Sequence, residues 1–170
     1  VVMSKKWESA ITNALGVEPI KINSSLMSAQ NRPRLYWTNI KNISQPNDKG
    51  IILDDILMND ATSKDVSYCV TVQRSFERLN EKYGYIPKRF NAYNASKIED
   101  KACALSRGSM ITSSCATLIF VKDDNGVHTV HDGILNKKFK TPLEDGLYNL
   151  RKLNITEIER LQTLPDGYTE

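Results

Sequence analysis

The sequence predicts an α/β fold, with a helix and two strands first, an irregular and mostly β middle, and a helix at the end. Three observations predict it. Trp7, Ala10, Ile11, Ala14 and Leu15 recur at the spacing of one helical face. Two β-favouring runs follow at once, at Pro19–Asn23 and Leu35–Ile40. Near the end, Ile155, Ile158 and Leu161 share a helical face, with Asn154 and Glu157 placed three apart as a capping-box pair.

Each element has a local reason. Ser4 suits the start of the first helix, and Gly16 stands where a helix end favours a left-handed residue. Trp7 and Trp37 are expected in the core. Pro19-Ile20-Lys21-Ile22-Asn23 alternates apolar and polar like a strand, and Leu35-Tyr36-Trp37-Thr38-Asn39-Ile40 is rich in aromatic and β-branched residues. The polar run Lys41–Gly50, with Pro46 and Gly50, marks a boundary. Ile51–Leu57 reads as a short helix, and Arg74–Tyr83 as another that ends before Gly84. Leu118–Val121 and Val127–Val130, separated by Asp123-Asp124-Asn125-Gly126, read as a β-hairpin turned at Asn-Gly. Pro165 is expected to stop the last helix at Leu164.

Composition narrows the class. Of the 170 residues, 40% are hydrophobic and 25% charged, values of an ordinary globular chain. No apolar run is long enough to span a bilayer, and a cytoplasmic protein is expected. The three cysteines (Cys69, Cys103, Cys115) form no Cys-x-x-Cys pair, and His128 and His131 are the two histidines, so no disulfide framework or metal site is expected. The net charge of +3 is unevenly spread: Lys64–Arg107 holds nine Lys/Arg against five Asp/Glu. A basic middle suits a surface that faces phosphates.

The run Gln30-Asn31-Arg32-Pro33-Arg34 carries the most chemistry. In extended backbone, Gln30, Arg32 and Arg34 share a face. Two forked cations side by side match a planar, oxygen-rich target such as a base edge or a phosphate. Pro33 confines the run to an edge or to the approach to a strand.

Ser28–Asn39, centred on Gln30-Asn31-Arg32-Pro33-Arg34, resembles the Gln-x-Arg-x-Arg block of cytosine-5 DNA methyltransferases, in a form like that of phage-borne enzymes. A second stretch, Arg151-Lys152-Leu153-Asn154-Ile155-Thr156-Glu157-Ile158-Glu159-Arg160-Leu161-Gln162-Thr163-Leu164-Pro165, is similar to that family's Arg-x-Leu-Thr-x-x-Glu-x-x-Arg-Leu-Gln-Gly-Phe-Pro block. Asn154 replaces Thr, Thr163 replaces Gly and Leu164 replaces Phe. Two blocks in the family's order are more specific than either alone.

The resemblance implies that residues 1–43 are the end of a Rossmann-like methyltransferase domain, 44–147 a target recognition domain, and 148–170 a return segment with a capping helix. It also implies methyl transfer from S-adenosylmethionine to C5 of a cytosine flipped out of duplex DNA. Arg34 then stabilises charge on the ring oxygen, Arg32 organises the pocket beside it, and Gln30 supports both. Arg151, Glu157, Arg160 and Gln162 are the structural residues of the second block. Asp100–Ser109 is similar to the family's base-approaching segment, with Ala104 in place of Thr. The residues expected to contact DNA are Arg74, Arg89, Lys101, Arg107, Gly108, Ser109, Thr112, Ser113 and Ser114.

The family's Pro-Cys nucleophile and its glycine-rich donor block have no counterpart here, and the chain opens as if just after the family's Glu-Asn. The chain is therefore expected to be inactive alone and to bind no donor. It reads as part of a longer enzyme; the alternatives are a split-enzyme subunit or a non-catalytic DNA-binding module. Loss of half the sheet would bare apolar surface on the first helix and strands, through which a homodimer can form.

Overall fold

The computed structural model describes residues 3–58, 64–105 and 117–169. Helix α1 spans Lys5–Leu15. The Ser4 carbonyl accepts from the N–H groups of Trp7 and Glu8, while its hydroxyl makes no capping bond. Gly16 ends the helix at φ 67°, donating to the Thr12 carbonyl. No residue of α1 is buried. Trp7, expected in the core, is 60% exposed, because nothing among the described residues covers the helix's apolar face. Trp37 is half-buried and donates from Nε1 to Thr12 Oγ1 at 3.0 Å.

Strand β1 (Ile20–Asn23) pairs antiparallel with β3 (Pro33–Tyr36) as a two-stranded ribbon. The second strand was expected at Leu35–Ile40; it starts and stops earlier. Pro33 opens it, opposite Asn23 at the ribbon's end. Between them lie a 3₁₀ turn at Ser24–Leu26 and the short strand β2 (Gln30–Asn31). Strand β2 leaves the ribbon and pairs in parallel with β6 (Ala102–Cys103), the single parallel pairing among the described residues. The Gln30–Arg34 run is thus split between two sheets. The break falls at Arg32, whose N–H donates to Asn23 Oδ1 at 2.9 Å instead of joining a ladder.

The body is a curled, seven-stranded antiparallel sheet. Its remaining strands are β4 (Arg89–Asn91), β5 (Ser96–Lys97), β7 (Thr117–Lys122), β8 (His128–His131), β9 (Ile134–Leu135), β10 (Phe139–Lys140) and β11 (Gly146–Lys152). They run in the order β10-β9-β8-β11-β7-β4-β5. Helix α2 (Val70–Tyr83) begins four residues before the expected Arg74 and ends at Gly84, φ 76°. It buries Val72, Phe76 and Leu79. The Phe76 ring meets those of Phe90, Phe120 and Phe139 at 5.9–6.2 Å, joining the helix to both halves of the sheet.

Alternation along β7 builds two cores. Leu118 and Phe120 face the α2 core, while Ile119 faces a second core with Ala29, Leu53, Ile56, Ala102, Leu153 and Leu161. That second core draws on all three expected segments. The expected boundary at 147/148 falls inside β11, a central strand. The expected helix at Ile51–Leu57 is one 3₁₀ turn, Leu53–Asp55.

The hairpin expected at Asn125-Gly126 does not form. Strand β11 lies between β7 and β8 and pairs with both. The 123–127 connection steps over it: Asp123 N–H donates to the Leu147 carbonyl, and Val127 N–H to Asn149 Oδ1. A Cβ on Gly126 would lie 2.4 Å from the Tyr148 backbone nitrogen. This glycine therefore closes the 123–126 turn, its N–H donating to the Asp123 carbonyl at 2.8 Å, and allows a close backbone approach to β11 without turning a hairpin. The tight hairpin is β8–β9, where Asp132 (φ 51°) and Gly133 (φ 69°) supply the two positive φ angles of a type I′ turn.

Helix α3 covers Ile155–Leu161 and stops short of the expected Leu164. The Thr163 N–H donates to the Arg160 carbonyl and the Leu164 N–H to that of Glu159. This is the Schellman closure, with Thr163 at φ 61° in the left-handed position that glycine favours.

Candidate functional site

The two stretches that carry the resemblance, more than a hundred residues apart in the chain, meet at one cleft. It measures 160 Å³, and its lining includes Ser24, Gln30, Arg32, Leu161, Gln162 and Thr163. Local structure fixes its first wall. Asn23 Oδ1 accepts from the N–H groups of Ser25 and Arg32, and Ser24 Oγ donates to the Gln30 carbonyl. Lys101 adds a clamp: Nζ donates to the carbonyls of Ser25 (2.8 Å), Ser28 (3.2 Å) and Ile51. All three ammonium hydrogens are thereby used, so Lys101, expected at DNA, is a tie that holds β2 against β6.

The second wall is the end of α3. Arg151 and Glu157 are both fully buried and form a bidentate pair at 2.7 and 2.8 Å. The N–H groups of Met58 and Asn154 also donate to the Glu157 carboxylate at 2.9 Å each, and Asn154 Oδ1 caps the Glu157 N–H. Burial pushes the Glu157 carboxyl up, but Arg151 and the two N–H donors outweigh it, so its pKa lies below the ordinary value. Arg160 binds Asp166 through Nε (2.8 Å) and Nη2 (2.5 Å). The positions of the second block thus have separate tasks: Leu153 and Leu161 in the core, Arg151 with Glu157, Arg160 with Asp166, and Gln162 at the cleft.

The cleft is rich in unmet donors. The buried amide nitrogens of Gln30 and Gln162 have no hydrogen-bond partner. The half-buried Arg32 guanidinium makes no hydrogen bond or ion pair among the described residues. Such a lining suits oxygen acceptors brought by a partner.

Arg34 stands apart. It donates from Nη1 to the Pro33 carbonyl at 2.9 Å and lines a different pocket, of 390 Å³, with Lys5, Glu8, Lys21 and Leu35. The expectation that Gln30, Arg32 and Arg34 share a face therefore holds for Gln30 and Arg32 alone, because the sheet changes at Arg32.

Arg89 was expected at DNA and instead points inward. It is 8% exposed, donates from Nη1 to the Glu99 carbonyl at 3.0 Å and pairs with Asp54. Arg74 is exposed on α2. Arg107, Gly108, Ser109, Thr112, Ser113 and Ser114 lie outside the described residues.

Sequence reasoning missed the structural role of Lys101 and the Asp65–His128 pair. Asp65 bridges Ser67 and the Leu150 N–H, and His128 Nε2 lies 3.2 Å from its carboxylate. No spacing signal links positions 65 and 128. Burial lowers the His128 pKa, and Asp65 and Asn136 only partly oppose the shift. His131, Asp132 and Asp145 bring three possible metal-binding atoms within 4.8 Å, all on exposed side chains. No helix among the described residues is long and apolar enough to cross a membrane. Comparison of the chain with protein-family models, curated proteins and solved structures gave no match.

Proposed function

We propose that this chain is the DNA target recognition part of a cytosine-5 DNA methyltransferase, working with a catalytic segment supplied in cis or in trans. The observation that carries the reading is the shared cleft. The Gln-x-Arg segment and the Arg-Leu-Gln segment resemble two blocks of one family, and here they form opposite walls of one site. The left-handed backbone at Thr163, where the resembled block has glycine, supports the same alignment.

On this reading Arg34 is the cation for the ring oxygen of the flipped cytosine, facing the segment that brings the nucleophile. Arg32 shapes the neighbouring wall. The uncovered apolar face of α1 and the exposed Tyr36 and Ile40 are then the surface on which the remainder of a Rossmann-like domain packs. A second copy of the chain is the competing occupant, favoured by the same exposure. Concentration-independent monomer behaviour in sedimentation counts against that dimer.

S-adenosylmethionine belongs to the partner segment. A donor-binding loop places glycines between a strand and the start of a helix. The described glycines do not fit: Gly16 and Gly84 end helices, Gly133 sits in a hairpin turn, Gly126 packs on β11, Gly146 opens β11, and Gly50 and Gly167 lie outside helices and strands.

The test is fluorescence anisotropy with duplex DNA at two salt concentrations, with and without S-adenosylmethionine. Salt-sensitive binding that ignores the donor is the expected result. Absence of binding at low salt overturns the reading of this chain as an autonomous recognition part.

A further inference from the structure

Two of the cations expected to meet DNA are interior, which raises the question of where the basic middle does its work. Of its nine Lys/Arg, Arg89 and Lys101 are bound inside, Lys97 pairs with Glu99 at 2.7 Å, and Arg107 lies outside the described residues. Of the remaining five, Arg74, Arg78 and Lys82 stand at i, i+4 and i+8 on α2. That spacing aligns them on one flank, about 6 Å apart along the axis. All three are exposed, at the edge of the face whose Val72, Ser75, Phe76 and Leu79 are buried in the core. Glu77 and Glu81 form the adjoining stripe, and Glu77 is engaged by Lys138.

Two of the cations are also held in place. Arg78 donates from Nη1 to the Tyr93 carbonyl at 2.8 Å, leaving the rest of its fork free. Lys82 lies 5.0 Å from the Tyr83 ring centre and 3.5 Å from the Ala95 carbonyl. The Tyr93 ring, 56% exposed, sits in the turn that Arg78 touches. That turn is fixed by Asn91 Oδ1, which accepts from the N–H groups of Tyr93 and Asn94. Past it, β5 leads into an open groove of 540 Å³ whose lining runs from Ser96 to Ala104 and includes Asn31, the neighbour of Gln30. The groove thus reaches from β5 to the strand that carries Gln30, and Glu99 and Asp100 are also in its lining.

We infer that the Arg74–Arg78–Lys82 stripe, with Tyr93 beside it, is the phosphate-gripping surface for duplex DNA. The inference rests on the proposed function and assigns the contact to α2 in place of Arg89 and Lys101. Pre-positioned cations with a neighbouring tyrosine hydroxyl suit a sugar-phosphate backbone, which such groups bind without reading sequence.

The experiment compares three proteins on one labelled duplex across a salt series: the parent chain, Arg74→Gln/Arg78→Gln/Lys82→Gln, and Lys122→Gln/Lys137→Gln/Lys140→Gln, whose three lysines are exposed and away from α2. Circular dichroism confirms that each is folded. The α2 variant is expected to lose about tenfold or more in affinity, with a salt dependence shallower by about one power per charge removed. The second variant loses the same charge elsewhere and should bind like the parent. Equal weakening in both variants would reduce the effect to net charge and overturn the assignment. Parent-like binding by the α2 variant overturns it while leaving the recognition reading intact. Failure of the parent chain itself to bind overturns both.

Discussion

Replacing Thr163 by glycine should stabilise this protein, against the usual direction of glycine substitutions. Thr163 occupies the C′ position of a Schellman closure at φ 61°, and both hydrogen bonds of the motif are made by backbone. Its side chain is exposed, so little packing is lost. A side chain with a Cβ costs about 1–2 kcal/mol in the left-handed region, with a β-branched one at the upper end. The extra backbone freedom of glycine in the unfolded chain returns about 0.5–1 kcal/mol. The net expectation is a gain of about 0.5–1 kcal/mol, or roughly 1–4 °C in Tm for a chain of this size. Urea unfolding of the parent, Thr163→Gly and Thr163→Ala measures it, with equal m-values required for a clean comparison. Alanine keeps the Cβ and should recover little. If glycine and alanine act alike, or glycine destabilises, left-handed strain at Thr163 is not the controlling term, and this support for the alignment of the second block is lost.

Three further outcomes follow from the same geometry. Gly126→Ala should cost about 2–3 kcal/mol by chemical denaturation, since the new methyl meets the Tyr148 backbone at 2.4 Å and a strand in mid-sheet cannot give way; a loss under 1 kcal/mol contradicts this. Glu157→Gln should cost about 3 kcal/mol or more, because the fully buried Arg151 loses its counter-charge. The Glu157 pKa is depressed on folding, so its contribution is complete above the ordinary value near 4.5 and disappears as pH falls through the lower folded value; parent and variant stabilities should converge there. His128 has its pKa lowered by burial, so the unfolded chain binds the proton more readily, and stability should fall as pH drops below about 6.5. A His128→Gln variant should lack that decline, and an unchanged pH profile refutes the assignment.

The local elements were legible in the sequence because their causes are local. The α1 stripe and Gly16, the Asn154–Glu157 capping box, Gly84 after α2 and the alternation in β1 depend on neighbours within a few residues, and each is found near its expected place. The mixed α and β content was legible for the same reason. The expected hairpin at Asn125-Gly126 failed because a later strand, β11, outcompeted direct β7–β8 pairing, a choice made by contacts that no dipeptide encodes. The tight hairpin forms instead at Asp132-Gly133, a turn dipeptide of the same local kind.

At the candidate site, residue identity was readable but residue duty was not. By sequence, Gln30, Arg32, Gln162 and the Arg151–Glu157 pair fall in two stretches that resemble blocks of one family; tertiary structure brings those stretches to a common cleft. Arg89, Lys101 and Arg74 are all basic residues in one charged stretch, indistinguishable by composition. The fold buries the first beside Asp54, uses up every donor of the second on backbone carbonyls, and leaves the third in solvent. The physical reason is that a charge is defined by its sequence, but its availability is set by desolvation and by partners that arrive from distant parts of the chain.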